Sequence, residues 1–244
     1  MDGVGTSKLA QEAAWWHAWR RLDLSWDGLT RREGHDGATL QDYWRNESGR
    51  LIPEPGTQRL WTRFHCPFVF EDGTASPKST WTAADWADLH ASLRTRLAMG
   101  TEGKPCLLTG AVLDGLFEAE AEVPDEAGYL WLRANWTYFR DGVDMSRNGL
   151  GLADFRAAWF GGKAVFEGAR AVTAEFDGAL YSERMGGTEV QVRADTNVEP
   201  VRVQPRLVEP EPETARRGLT GRIVAGIVVL GGLAVALWFL IQNA

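Results

Sequence analysis

Between Met145 and Tyr181 the chain keeps a five-residue period. Met145, Leu150, Phe155 and Phe160 are five apart, and after one extra residue, Lys163, the phase resumes with Phe166, Ala171, Phe176 and Tyr181. Two positions before these centres stand Val143, Asn148, Ala153 and Ala158, then Ala164, Ala169, Ala174 and Ala179, and glycine closes several units, at Gly162, Gly168 and Gly178. On an α-helix a step of five carries a side chain about 140° past a full turn, which would scatter the bulky residues around the axis. On a strand an odd step alternates faces. A chain that turns a corner every five residues resolves both conflicts, because every bulky centre then points inward and every small residue sits where the wall is tight. Four corners return the chain above its start, giving a coil of about twenty residues stacked at roughly 4.8 Å, the strand spacing.

The units Ala153-Asp154-Phe155-Arg156-Ala157, Ala164-Val165-Phe166-Glu167-Gly168 and Ala174-Glu175-Phe176-Asp177-Gly178 carry this pattern most fully. In them the chain resembles the pentapeptide-repeat family, whose unit is a small residue, a polar one, Leu or Phe, a polar one and often glycine. The resemblance implies a short right-handed quadrilateral β-helix, with Val143 to Gly162 as one coil, Ala164 to Glu183 as the next, Phe155 over Phe176 and Phe160 over Tyr181. Ala158-Trp159-Phe160 and Ala169-Arg170-Ala171 match in part; Ala171 departs from the bulky centre, with Met145 or Leu150 opposite it as the compensating bulk. Ala111-Val112-Leu113-Asp114-Gly115 and Ala134-Asn135-Trp136-Thr137-Tyr138 read as fragments of an earlier coil, interrupted by the acidic loop EAEAEVPDEAG. So few coils expose unpaired edges and an apolar cross-section, so the N-terminal region is expected to cap them. Its segments DLSWDGL and ATLQDYWR are similar to the front regions of bacterial proteins that carry such repeats.

Twelve tryptophans, most of them before residue 100, predict an aromatic N-terminal core. Leu9, Ala13, Trp16 and Trp19 fall at helical spacing, with Trp15 and Leu22 widening the stripe. A second helix opens at Thr82 with Asp85 three residues on, presents Trp86, Leu89, Leu93 and Leu97 on one face, and closes at Gly100. Between them Gln58 to Asp72 reads as an extended or strand segment ending in the turn signal Asp72-Gly73.

The other end is membrane-like. Ile223 to Ile241 holds no charged residue and at 1.5 Å per residue spans roughly 28 Å, about the thickness of a bilayer's hydrocarbon core. Arg216, Arg217 and Arg222 precede it, and the positive-inside bias places the preceding residues in the cytoplasm, as for a tail-anchored protein of a bacterial inner membrane. Gly232 and Ala236 form a small-xxx-small pair compatible with a homodimer. Before it, Pro200, Pro205, Pro210 and Pro212 read as an extended linker without helix or central strand. The expected organisation is thus a Trp-rich, mainly helical or mixed region (1–105), a β-helix (106–190), a Pro-rich linker (191–218) and one transmembrane α-helix (219–244).

Chemistry is sparse. Met1-Asp2-Gly3 leads directly into a helical pattern, so a cytosolic, reduced chain is expected and Cys66 and Cys106 are not read as a disulfide. His65-Cys66 cannot pair as base and thiolate on a strand, where neighbours point to opposite faces. His17, His35 and His90 show no metal-ligand spacing, so no catalytic residue, metal or cofactor is expected. Asn135-Trp136-Thr137 is a glycosylation sequon that would face the cytosol. The net charge of −7 disfavours nucleic acid as a partner.

The reading that uses every feature is a membrane-tethered, non-catalytic protein-interaction or scaffold module. The lipid bilayer would be met through Ile223 to Ile241, and an unidentified protein partner through the outward members Asp154, Arg156, Glu167, Arg170, Glu175 and Asp177. Two alternatives stand beside it. Some members of the resembled family imitate duplex DNA and bind topoisomerases, but Val143 to Glu183 mixes both charge signs where one charge per about 1.7 Å would be needed. An enzyme in the N-terminal region would need a phosphate loop, metal set or nucleophile with its base, and none is legible.

Overall fold

The computed structural model describes residues 3–114, 117–118, 128–181, 189–194 and 197–202. The expected transmembrane helix, and the linker beyond residue 202, lie outside these residues. Among the described residues no helix is long and apolar enough to cross a membrane.

The chain opens with helix α1 (Gly3–Arg20). Its buried side is set by Trp15 and Trp19, four residues apart and one above the other, with Trp16 half-buried beside them. This corrects the expected stripe: Leu9 is 69% exposed and Ala13 is exposed. Indole width decides the face, since each ring also finds a distant main-chain acceptor for its N–H. Helix α2 (Leu40–Tyr43) and helix α3 (Ala83–Ala98) each begin with a capping box, Thr39 with Asp42 and Thr82 with Asp85. Leu89, Leu93 and Leu97 of α3 are buried, and the Gly100 amide donates to the Leu97 carbonyl at 3.1 Å, closing the helix.

Strands β1 (Ile52–Pro53) and β2 (Leu60–Trp61) pair antiparallel. The rest of the expected extended or strand segment 58–72 is turns and irregular chain, apart from a bridge of Val69 with Ala75. The His65 amide donates back to the Thr62 carbonyl at 3.2 Å, so His65 and Cys66 sit on a turn, where strand alternation does not apply and both are buried. At Asp72-Gly73 the chain does reverse, with Gly73 at φ 87°.

From residue 106 onward the strands are β3 (Cys106–Leu107), β4 (Val112–Leu113), β5 (Phe117–Glu118), β6 (Leu130–Arg133), β7 (Tyr138–Phe139), β8 (Gly142–Asp144), β9 (Gly149–Asp154), β10 (Trp159–Phe160), β11 (Lys163–Val165), β12 (Arg170–Glu175), β13 (Leu180–Tyr181), β14 (Glu189–Ala194) and β15 (Asn197–Arg202). They form three ladders, ordered β13-β10-β7-β4, β11-β8-β5 and β15-β14-β12-β9-β6-β3. Every pairing in them is parallel except β14 with β15. Tyr138, Trp159 and Leu180 stand side by side, so the chain returns to the same ladder every 21 residues. The earlier return, from Val112 to Tyr138, takes 26, since the acidic stretch intervenes.

The corners stack as the strands do. Gly110, Trp136, Ala157 and Gly178 occupy equivalent corners with φ of 72°, 58°, 54° and 70°. Trp136 and Ala157 are held in this left-handed region because their amides donate at 2.9 Å to Arg156 and Asp177, on the corners above them.

Inside, Met145, Leu150, Phe155, Phe160, Phe166 and Ala171 are buried, and Phe176 is half-buried. Phe160 pairs with Tyr181 in the backbone register; the Tyr181 side chain lies outside the described residues. Phe155 stacks on Phe176 at 5.3 Å and Phe139 on Phe160 at 5.4 Å, with Phe166 edge-on to Phe176 at 5.3 Å. Ala134, Ala153, Ala158, Ala164, Ala169 and Ala179 are buried alongside. The apolar cluster runs from Trp15 to Ala179, so the N-terminal region from Trp15 onward shares one core with the ladders.

The N-terminal region covers the ladders at several places, among them the end of β3, where the Tyr43 hydroxyl accepts the Leu107 amide at 3.2 Å. At the open edge of β4, the Phe64 carbonyl accepts the Val112 amide at 2.7 Å. Buried Lys78 donates from Nζ to the Val112 carbonyl, to that of Arg63 at 2.6 Å and to that of Phe64 at 3.4 Å. An edge that would template further strands is thus occupied. Along the side, α1 lies over β7 and β10, where Trp15 contacts Tyr138 and Trp159 at ring separations of 5.6 and 6.4 Å.

The expected linker boundary moves. Residues 191–194 and 197–202 belong to strands, with β14 parallel to β12 and β15 antiparallel to β14. Pro200 is tolerated because β15 is the outermost strand of its ladder, where a missing N–H breaks no inner hydrogen-bond row.

Candidate binding cleft

The residues singled out for thiol chemistry are disarmed by their surroundings. His65 Nδ1 lies 2.7 Å from Thr62 Oγ1 and Nε2 lies 3.2 Å from the Thr109 carbonyl. The carbonyl can only accept, so Nε2 carries the proton and Nδ1 accepts from the hydroxyl. Both nitrogens are therefore engaged, and burial pushes the imidazole down to about 3. Burial likewise raises the Cys66 thiol above its ordinary value and pushes Cys106 up to about 12. At neutral pH both remain thiols, which are poor nucleophiles. His35 Nε2 donates to the Pro105 carbonyl at 2.8 Å, and the described residues contain no His, Cys, Asp and Glu group that could hold a metal. In the sequon, Asn135 Oδ1 accepts from Thr109 Oγ1 at 2.6 Å.

The expected contact residues separate into two kinds. Glu167, Arg170 and Asp177 are exposed. Asp154 is a correction: it is 2% exposed, and its carboxylate accepts from Arg156 Nε at 2.9 Å, Arg156 Nη2 at 2.8 Å and the Arg156 amide at 3.2 Å. A short acid two residues before a corner folds back onto the turn rather than outward. Arg156 also meets Glu175 at 2.9 Å, and the Asp154 carboxylate beside it holds the guanidinium above its usual range. Asp154, Arg156 and Glu175 are thus a brace across the ladder.

A concavity lies elsewhere. Where α1 crosses the outer face of β7 and β10, a cleft of about 660 Å³ remains beside the Phe68–Val69 segment. Its floor is aromatic: Trp16 lies 4.7 Å from Tyr138, and Tyr138 stacks on Trp159 at 6.5 Å with ring planes 5° apart. Its charges are mostly spoken for. The Tyr138 hydroxyl donates to Glu12 Oε1 at 2.6 Å, and burial with that carboxylate alongside raises the phenol, so the proton stays on oxygen. Arg140 donates to Asp114 at 3.1 Å while its guanidinium lies 4.8 Å over Phe68. Arg20 lines the cleft without an ion pair among the described residues. Trp159, 1% exposed, also lines it, and its buried Nε1 finds no acceptor among the described residues.

Sequence reasoning missed this cleft, although one signal was present. Trp159 stands second in its unit, where a polar residue is expected, and Tyr138 pairs with it, so two aromatics in register mark a covered face; the expected fragment Ala134 to Tyr138 is thereby shifted, since Trp136 lies at a corner equivalent to Ala157 and not at a bulky centre. What covers it could not be seen, because the helix that does so lies more than a hundred residues away.

Comparison of the chain with protein-family models, with curated proteins and with solved structures returns no match.

Proposed function

We propose that the protein is a membrane-tethered, cytosol-facing interaction module that does no chemistry of its own. We infer further that its ladders form a quadrilateral β-helix of the pentapeptide-repeat kind, and that its working surface is the cleft beneath α1. The 21-residue return, the stacked corners and the inward Phe column support the β-helix. The uncharged stretch Ile223 to Ile241, with arginines before it, supports the tether. The observation that carries the functional reading is the cleft itself. A helix pinned across a rigid ladder leaves a ligand-sized, aromatic-floored hollow lined by Arg20, which has no ion pair among the described residues. Rigid ladders suit this role, since a preorganised surface loses little freedom on binding.

The test is crosslinking and affinity purification of the full chain from detergent-solubilised membranes. Three forms are compared: wild type, a Trp16→Ala, Arg20→Glu cleft variant, and a Phe155→Asp, Phe176→Asp variant that breaks the column. A specific partner recovered with wild type and lost with both variants is expected. Recovery unchanged by the cleft variant would overturn the assignment of the cleft as the working surface.

A further inference from the structure

The segment Thr109 to Asp114, which carries β4, is held from the N-terminal side by three bases on three different elements. His65, on the turn after β2, donates from Nε2 to the Thr109 carbonyl at 3.2 Å. Lys78, in the short helical turn Pro77–Thr80, donates from Nζ to the Val112 carbonyl and to those of Arg63 and Phe64. His90, on α3, has the Asp114 main chain as a hydrogen-bond partner. Together they clasp the outermost strand of its ladder, where the Phe64 carbonyl accepts the Val112 amide at 2.7 Å.

The surroundings of the clasp favour cations poorly. Lys78 faces both histidines, Arg96 faces His65, Arg94 faces His90, and Arg63, paired with Glu47 and Asp88, faces Lys78. Asp114 faces Lys78 and His90, yet its carboxylate already accepts from Arg140 at 3.1 Å. Cys66, beside Lys78, stays a neutral thiol, and Glu54, which faces Cys66, accepts the Trp61 indole at 3.0 Å. Burial lowers Lys78 to about 7 and His65 to about 3, and lowers His90 as well. Below neutrality the closed clasp therefore holds an ammonium, and a proton on either histidine would add a like charge beside it. With the clasp open, the histidines take protons in their ordinary range, so acid favours opening. All four histidines precede residue 91, so the ladders themselves carry none. We propose that the clasp is an acid-released device: on acidification His65, Lys78 and His90 let go of β4 and uncover its edge, while the inner rungs stay paired.

The experiment is amide hydrogen exchange by NMR on the full chain in detergent, corrected for the intrinsic pH dependence of exchange. The Val112 amide reports on the clasp, because its acceptor is Phe64; the Trp159 amide, bonded to the Thr137 carbonyl at 2.8 Å within the ladder, is the control. Between pH 7 and 5 the protection of Val112 should fall about tenfold relative to that of Trp159. The double variant His65→Gln, His90→Gln keeps side chains that can donate to carbonyls but cannot titrate, and should hold Val112 protected at pH 5. His17→Gln, His35→Gln, outside the clasp, should behave as wild type. No loss at Val112, equal loss at Val112 and Trp159, or a loss unchanged in the clasp variant would each overturn the proposal. If that variant has already lost Val112 protection at pH 7, the wild-type onset decides. An onset at about 6 supports the clasp, and one below about 4.5, in the carboxylate range, overturns it.

Discussion

Trp15 donates its indole N–H to the carbonyl of Ala157 at 2.8 Å, joining residues 142 positions apart. Trp19 makes the matching bond to the Gly110 carbonyl at 3.0 Å. Ala157 and Gly110 occupy equivalent corners, so α1 lies across successive layers of the stack and is held at two of them. This bracing is what leaves the cleft open at a fixed width, since Trp16, between the two anchors, forms part of its floor.

Trp15→Phe keeps a ring in place but removes the donor, leaving a part-buried carbonyl unsatisfied. The expected cost is about 2 kcal/mol in urea denaturation of the full chain. Leu9→Ser, on the open side of the same helix, should change stability by less than about 0.5 kcal/mol. Equal effects would mean that α1 is not anchored through Trp15.

Ala157 holds φ 54° without being glycine. Ala157→Gly relieves that strain while leaving the carbonyl that accepts from Trp15, and should stabilise the chain by about 1 kcal/mol. Thermal unfolding would show it as a rise in Tm. Ala157→Val should act in the opposite direction.

His65 is a base whose folded value lies below its unfolded one. As pH falls through the ordinary histidine range the unfolded chain takes a proton that the folded chain refuses, so stability is full above about 6.5 and declines toward 3. Between pH 7 and 5 the loss attributable to His65 is expected to be about 2 kcal/mol. His90, also lowered by burial, acts in the same direction, so the measurement is the difference between wild type and His65→Gln across that window. Parallel curves for the two proteins would show that His65 is not neutral in the fold.

The brace on the ladder face is unequal. Arg156 is 53% exposed at its side chain and its ion pairs are screened, whereas the buried Asp154 carboxylate also holds the Arg156 amide. Asp154→Ala should therefore cost about 2 kcal/mol and Arg156→Ala less than about 1 kcal/mol. A double-mutant cycle on urea midpoints separates the two. A larger loss from Arg156→Ala would place the stabilisation in the ion pair instead.

Local order is legible in the sequence. The five-residue spacing names Phe155, Phe160 and Phe166 as inward, and they are buried in a shared column. The Thr82 and Asp85 pair announces α3, because a capping box is a contact across three residues. Where a side chain has a choice of partners, spacing misleads. Asp154 sits at an outward position yet turns back on its own corner, and Pro200 enters a strand because that strand is outermost. The cleft is hidden for the same reason, since Tyr138 needs Glu12 and Trp159 needs Trp15 before either is more than a departure from the expected pattern.

The sequence by itself determined the pitch of the ladders and which residues fill their interior, because size and spacing recur over five residues and act through the chain's own geometry. It also determined the caps of its helices, which are contacts of a few positions. Only the tertiary structure decided which outer face is covered, which edge Lys78 closes and where a hollow is left. Those outcomes depend on pairs such as Trp15 with Ala157 and Lys78 with Val112, brought together by folding and separated by far more chain than any local pattern spans.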